Sequence, residues 1–181
     1  MKTLTTPFLL TSFCLFVIGC GASGPTDVKS KDGKFQVTVL EGMQPATELN
    51  DQADIQAMNG FRELYVVVLT EPKSDFPDEF ELKDYAGVAF PPFSQGVSAA
   101  PTTPRDIKTD NGDAGIQYDV HGTADGHKIG YLVTFVDTGD HFHQVLAWTL
   151  DERYSQHKGT LTKIAASLKP TSAAKPAAPE A

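Results

Sequence analysis

The chain has 181 residues, 40% of them hydrophobic, and a formal net charge of -8 at pH 7. This length suits one domain with a core of its own plus short tails. With 15 Lys and Arg against 23 Asp and Glu, the chain lacks the basic excess that neutralises nucleic acid phosphates, and it has no polybasic patch for anionic lipid. We therefore expect no nucleic acid partner, and any attachment to a membrane has to be covalent.

Residues 1–19 are predicted to be an export leader. Lys2 supplies a positive charge near the start, and Pro7 to Ile18 is an apolar run broken only by Thr11 and Ser12. A transmembrane helix needs about 20 apolar residues. The run is too short for such a helix, which favours a leader that is removed.

The leader ends in Val17-Ile18-Gly19-Cys20, which resembles the lipobox of bacterial lipoprotein precursors. In those precursors the cysteine sulfur receives a diacylglyceryl group and the chain is cut before that cysteine. The resemblance implies lipidation of Cys20; an ordinary secretory signal with an incidental cysteine is the alternative. Two or more acyl chains hold a protein firmly on a membrane, so Cys20 would anchor the mature chain on the extracytoplasmic side of the cell envelope.

The residues around Cys20 refine this expectation. Gly21 stands where an aspartate would resemble the inner-membrane retention signal of enteric bacteria, so the outer membrane is favoured if the cell has two membranes. The other cysteine, Cys14, leaves with the leader. The mature chain then has no internal disulfide and no free-thiol chemistry, and its stability must come from packing.

The mature chain divides into three parts by composition. Residues 20–33 are small, polar and turn-rich, which predicts a lipidated flexible tether. Residues 34–170 form the predicted domain. Residues 171–181 are rich in Pro and Ala and bury too little apolar surface to offset their ordering entropy, so this tail is predicted to be disordered.

Strands dominate the predicted domain. Alternating apolar residues over 35–39 predict the first strand, 53–58 is a weaker second candidate, and the β-branched and aromatic run at 64–70 is typical of a central strand. Turns containing Asp, Asn and Gly separate the later strands and predict an antiparallel meander. Its four strands are predicted at 105–109, 116–120, 128–136 and 142–150.

Two helices are predicted from i, i+3, i+4, i+7 spacing. The first runs from Leu82 to Ala89, and Pro91-Pro92 is expected to end it. The second covers 161–168, with its start left open by Gly159. Together these elements predict an α+β domain in which a twisted antiparallel sheet carries its helices on one face.

Several stretches carry a family resemblance: ELYVVVLTEP (63–72), LKDY (82–85), DNGDA (110–114), YLVTFV (131–136), DHFHQVLAW (140–148) and ASLK (166–169). They resemble the PsbP/Mog1-like group, which includes many small bacterial lipoproteins. The resemblance covers about 34–169 and implies a central antiparallel sheet flanked by helices. It also implies a non-catalytic accessory, assembly or binding role, and it brings no catalytic residues to carry over.

The histidines are the most suggestive polar residues. His141 and His143 are two apart on a predicted strand, so their side chains point to the same face and offer two imidazoles to zinc, nickel or copper. His121 and His127 lie at the other end of a strand about 30 Å long, so the four cannot converge on one ion. We therefore expect the histidines to have structural roles, with weak adventitious metal binding as the exception. We assign no metal ion and no cofactor to them.

Acidic, aromatic and proline-containing stretches carry weaker signals for binding. The acidic residues between Asp75 and Glu81, and the turn 110–113, lack the order of a calcium loop. Trp148 and Phe142 share the parity of Leu146 and Leu150, which favours core positions over a stacking platform. Phe90-Pro91-Pro92-Phe93 predicts a stiff apolar loop, either a partner-binding edge or a loop packed over the sheet.

Enzyme signatures are missing from the sequence, with no G-x-S-x-G, H-E-x-x-H, C-x-x-C, P-loop or dinucleotide fingerprint. The leading hypothesis is therefore a lipid-anchored, non-enzymatic accessory or interaction module with an envelope protein as its partner. The alternatives are a small-ligand or metal-binding lipoprotein and, with less support, a hydrolase whose site is built from distant residues.

Overall fold

The computed structural model describes residues 24–99 and 102–171. The predicted leader, the predicted lipidation site Cys20, the start of the predicted tether and the tail from residue 172 lie outside the described residues. The strands are β1 (Thr26–Lys29), β2 (Phe35–Val39), β3 (Gln44–Pro45), β4 (Ile55–Asn59), β5 (Leu64–Pro72), β6 (Arg105–Lys108), β7 (Ala114–Ala124), β8 (His127–Asp137), β9 (His141–Leu150) and β10 (Lys169–Pro170), and the α-helices are α1 (Leu82–Gly96) and α2 (Asp151–Ala166).

The strands form two antiparallel sheets. The larger has seven strands in the order β3-β4-β5-β9-β8-β7-β6, and the smaller has the order β1-β2-β10. The predicted meander of the four later strands is confirmed, because β6, β7, β8 and β9 are neighbours in sequence order. On three neighbouring strands in the middle of the strand order, Tyr65 of β5 and Tyr131 of β8 both pair with Trp148 of β9.

The larger sheet is buried on both faces at its centre. On β8, Leu132 and Val136 join a core with α2 and the small sheet, whereas Val133 and Phe135 join a separate core with α1. We call these sides the α2 face and the α1 face. The predicted sheet flanked by helices is confirmed, but the placement of both helices on one face is wrong. A strand that is apolar on both sides needs cover on both.

Helix α1 continues through the two prolines that were expected to end it. Pro91 and Pro92 lie inside the helix, which ends at Gly96. Phe90 stacks on Tyr118 with ring centroids 4.0 Å apart, and Phe93 meets Tyr131 edge-on at 5.2 Å. This aromatic packing outweighs the backbone hydrogen bonds that the prolines cannot donate. The predicted stiff loop at 90–93 is therefore wrong, and the segment packs over the sheet as helix.

Helix α2 begins ten residues before its predicted start. Tyr154 and His157 extend the buried stripe of Leu161 and Ile164 backwards along the helix, and acidic residues in the first turn favour the positive end of the helix dipole. Tyr154 packs directly on β8, where a Cβ added to Gly130 would lie 2.6 Å from its ring. None of the helices in the described ranges combines the length and apolar character needed to cross a membrane.

The folded part extends beyond the predicted domain limits at both ends. Residues 26–29 of the predicted tether form β1, in which Val28 pairs with Val37 and is buried. At the other end, the Thr171 amide donates to the carbonyl of Lys34 at 2.8 Å. These segments were missed because each relies on pairing with β2 rather than on an apolar pattern of its own.

Candidate functional site

The two ends of the larger sheet differ, and we name them for their cover. The closed end is where β5 ends at Pro72 and β9 begins at His141. The open end is where β5 begins at Leu64 and β9 ends at Leu150. The predicted candidate residues fall at both ends: His141 and His143 at the closed end, and His127 and Trp148 at the open end.

His143 lies at the closed end on the α2 face and has no exposed surface. The Thr70 hydroxyl lies 3.1 Å from its Nδ1, and the Thr138 hydroxyl lies 2.9 Å from its Nε2. Burial, with a smaller contribution from His141, lowers the pKa of His143 to about 3. Both ring nitrogens are engaged and the ring is neutral, so His143 acts as a structural histidine.

The other histidines do not complete a metal site with it. His141 does share a face with His143, as predicted, and their ring centroids are 6.2 Å apart. The register of β8 puts His127 at the open end, opposite Ala124, and places His121 nearby. His121 contacts the carboxylate of Asp151. Among residues 24–99 and 102–171, no group of three or more His, Cys, Asp or Glu could hold a metal ion.

The acidic stretch before α1 has a local structural role. Glu81 and Asp84 form a reciprocal capping box at the start of α1, each side chain accepting from the backbone of the other. Nearby, Lys73 pairs with Asp137 at 2.7 Å. The capping box gives Glu81, the acidic residue at the N-cap of the helix, a structural role, and it fixes the direction in which α1 leaves the closed end.

One carboxylate near the middle of the sheet is strongly held. Asp119 on β7 contacts Arg105, Tyr154 and Lys158, the last at 2.8 Å. Burial opposes its ionisation, but hydrogen bonds from Lys158 and Tyr154 outweigh it and lower the pKa of Asp119 to about 2. These contacts tie α2 to β7, so Asp119 is a structural anchor rather than a proton-transfer group.

The open end carries a depression of about 520 Å³ on the α1 face. At its centre Trp148 stacks on Tyr65, with centroids 5.3 Å apart and planes 16° apart, and on its other side lies Tyr131 at 5.7 Å. Trp148 and Tyr65 are half-buried, whereas Tyr131 is almost fully buried. We call this the aromatic depression; its lining residues are Glu63, Tyr65, Ala124, Asp125, His127, Ile129, Tyr131, Trp148 and Leu150.

The rim of the aromatic depression is acidic. The Tyr65 hydroxyl donates to Glu63 at 2.6 Å, and burial together with this carboxylate raises the pKa of Tyr65 to about 12. On the other side, burial and then the charge of Asp125 raise the pKa of Tyr131. The tyrosines therefore stay neutral, and the two carboxylates provide a negative potential around an apolar floor.

The aromatic depression was only partly visible in the sequence. Strand parity correctly puts Phe142 in the core. The same parity predicts a core position for Trp148, which is instead half-buried. The sequence signal was the run of large aromatics at matching positions on three neighbouring strands. The sequence did not reveal the path of α1. This helix contacts β7 and β8 and leaves the open end of β5 and β9 uncovered.

Comparisons with known proteins bear on the fold. No family model and no curated protein sequence matches this chain. Solved structures do match, among them PsbP from the cyanobacterium Synechocystis sp. PCC 6803, LpqN of Mycobacterium tuberculosis, which is involved in cell envelope biogenesis, and the Ran-binding protein Mog1p of Saccharomyces cerevisiae. Each matches over most of both chains, although sequence identity is low.

PsbP aligns with a TM-score of 0.58 at 13% identity, over 84% of this chain and 96% of its own. LpqN aligns with a TM-score of 0.59 at 12% sequence identity, over 81% of this chain and 90% of its own. Mog1p aligns with a TM-score of 0.55 at 12% identity, over 81% of this chain and 95% of its own. The predicted resemblance is confirmed at the level of the fold: the described residues form a PsbP/Mog1-like domain.

Proposed function

We propose that this protein is a lipid-anchored, non-enzymatic module of the cell envelope that binds a protein partner through the aromatic depression. One observation carries the proposal: Trp148 stays partly exposed between two tyrosines, whereas Phe142, on the same face at the other end of the same strand, is fully buried. Half-exposed Trp and Tyr that share one concave surface are typical of the energetic centres of protein interfaces.

The anchor rests on the sequence. The lipobox-like Val17-Ile18-Gly19-Cys20 follows a short apolar run, and the folded part begins only a few residues later, at β1. The structural neighbours fit an envelope or protein-binding role, since LpqN takes part in cell envelope biogenesis and Mog1p binds the protein Ran. We place the lipid on Cys20 and the domain on the extracytoplasmic side, at the outer membrane if the cell has two.

The partner surface is a basic segment that ends in an apolar or aromatic side chain. Such a side chain would stack on Trp148, and its positive neighbours would meet the carboxylates of Glu63 and Asp125. The acidic protein as a whole attracts the same partner, because its net charge of -8 favours approach by a basic surface.

A non-enzymatic role is supported by how the strongly shifted titratable groups are used. His143 lies between two threonine hydroxyls, and Asp119 is held by Arg105, Tyr154 and Lys158. These groups hold the fold together and lie away from the aromatic depression. The concave surface itself offers stacking area and negative charge, which suit binding.

The anchor makes a direct prediction. Cys20→Ser should abolish labelling of the protein with a fatty acid and release the protein from the membrane fraction or leave it uncleaved, because the sulfur that carries the lipid is gone. Metabolic labelling followed by fractionation measures both. Unchanged membrane retention of Cys20→Ser would show that the anchor lies elsewhere.

The binding surface is tested by a matched pair of variants. The partner is captured from envelope of the native cell, purified, and titrated against the wild type, Trp148→Ala and Val88→Ala. Val88 is an exposed apolar residue on α1, away from the aromatic depression. We expect at least a tenfold weaker Kd for Trp148→Ala and no change for Val88→Ala, since loss of a buried aromatic contact costs about 1.4 kcal/mol or more.

Two results would contradict this assignment. Equal affinity for both variants would show that the partner binds another surface. A small flat ligand that quenches Trp148 fluorescence at micromolar concentration, with no protein captured, would favour the small-ligand alternative, because the parallel rings of Tyr65 and Trp148 can also stack on such a molecule.

A further inference from the structure

A single phenylalanine stands out on the surface of the open end. Phe61 is 94% exposed at the turn that joins β4 to β5. The turn is braced, because the Arg62 amide donates to the Asn59 carbonyl at 3.1 Å and the Asn59 side-chain amide donates to the carbonyl of Glu41 at 2.8 Å. These hydrogen bonds hold the turn that presents the Phe61 ring to water, so the ring is available for a contact outside the domain.

Two arginines lie beside this phenylalanine. Arg62 follows it in the turn, and Arg153 lies across a shallow depression that also includes Gln156 and His157. Arg62 pairs with Glu41 at 2.7 Å, and half of its side chain remains exposed. Phenylalanine beside arginine is a combination that membrane-surface segments use, with the apolar side chain at the headgroup–acyl boundary and the cations near the phosphates.

The chain enters the domain at this same end. Thr26, the first residue of β1, pairs with Val39 at the end of β2. Two residues later Glu41 contacts Asn59 and Arg62, on either side of Phe61. The start of β1 and the exposed phenylalanine therefore lie at one end of the domain.

The distance from the anchor to this end is short. Cys20 precedes Thr26 by only a few residues, so even a fully extended chain holds the start of β1 within about 21 Å of the lipidated residue. The domain is longer than this, since the residues of β8 alone span roughly 36 Å. A lipid on Cys20 thus keeps the end that bears Phe61 next to the bilayer and lets the closed end point away.

We propose that the turn at 60–62 is a second membrane contact, in which Phe61 enters the headgroup region of the bilayer and Arg62 and Arg153 meet lipid phosphates. This inference rests on the proposed lipidation of Cys20. Because two arginines and one ring bind a bilayer only weakly, the covalent anchor supplies the attachment and this contact supplies orientation.

A tryptophan reporter tests the contact. The mature lipidated protein is placed in vesicles of phosphatidylethanolamine and phosphatidylglycerol, with Trp148→Phe removing the only native tryptophan. Phe61→Trp in that background should show blue-shifted emission and at least twofold quenching by brominated acyl chains. Asn111→Trp, in the exposed turn between β6 and β7 at the closed end, is the matched control and should show neither change.

The outcomes separate this contact from the anchor. Absence of quenching for Phe61→Trp in protein whose mass shows a lipid on Cys20 overturns the membrane contact. If cells leave Cys20 unmodified, the reporter chain starting at Cys20 is coupled through that thiol to a maleimide lipid; quenching there supports the contact although the natural anchor has failed. A blue shift that appears only with an added protein partner assigns Phe61 to a protein interface and also overturns the proposal.

Discussion

The two ends of the larger sheet carry aromatic clusters on the same face, but only one is covered. At the closed end Phe142 has no exposed surface and stacks on Tyr85 with centroids 4.6 Å apart, while Phe76 and Phe80 close over its edge. At the open end Trp148 stacks on Tyr65 and stays half-exposed. Phe142 and Trp148 both lie on β9, an even number of residues apart, so their side chains point to the same face of the sheet.

The difference comes from the direction of α1. The capping box of Glu81 and Asp84 starts the helix over the closed end, where Tyr85 meets Phe142. The helix then crosses towards β7, so that Phe90 reaches Tyr118 and the open end of β9 is left bare. Residues of similar type and parity thus serve stability at one end and become available for binding at the other.

The largest expected effect contrasts the two aromatic residues directly. Phe142→Ala should lower the free energy of unfolding by about 3–5 kcal/mol, because it opens a cavity in a fully packed cluster. Trp148→Ala should lower it by about 2 kcal/mol or less, because part of its surface already faces water. Urea titration of both variants measures the two values.

Similar losses for the two variants would break the comparison, since Trp148 would then be as integral to the core as Phe142. The denaturant slope should match the wild type in both cases, which checks that the variants still unfold in two states.

A smaller effect concerns pH and the closed end. His143 is neutral in the fold, with a pKa of about 3, whereas an unfolded histidine titrates near 6.5. Below pH 6.5 the unfolded chain therefore binds a proton that the folded chain does not. The free energy of unfolding should fall as pH drops from about 6.5 towards 3, by about 2 kcal/mol at pH 5.

The His143→Gln variant should lose this part of the pH dependence, since its amide can still bond Thr70 and Thr138 but does not titrate. His127→Gln, exposed at the open end, is the matched control and should follow the wild-type curve. Urea titrations at a series of pH values compare them. A wild-type slope in His143→Gln would mean that other groups produce the acid sensitivity.

Periodicity alone predicted much of the sheet. The alternation at Phe35, Val37 and Val39 and the run LYVVVLT identified β2 and β5, because a buried face leaves its spacing in the sequence. It did less well for β1 and β10, which depend on pairing with β2. The prolines of α1 misled prediction for a related reason: distant aromatic contacts outweighed a local breaking signal.

The candidate site was harder to predict because exposure is a property of the assembled layers. The histidines at 141 and 143 were correctly expected to share a face, and the structural role of His143 follows from its contacts with Thr138 in the adjoining turn and with Thr70, which is distant in sequence. For Trp148 the spacing that favours a core position is identical to that of Phe142. Only the path of α1, set by tertiary packing, distinguishes them.

The pairing of Thr171 beside β2 has a practical consequence for display of the protein. Thr171 bonds Lys34, next to Phe35, whose ring contacts His143 at the closed end. The chain therefore leaves the domain at the opposite end from its entry at Thr26. A fluorescent or affinity tag fused after Thr171 would stand roughly a strand's length from the end that carries Thr26, clear of both Trp148 and Phe61, and would report on the protein without blocking either surface.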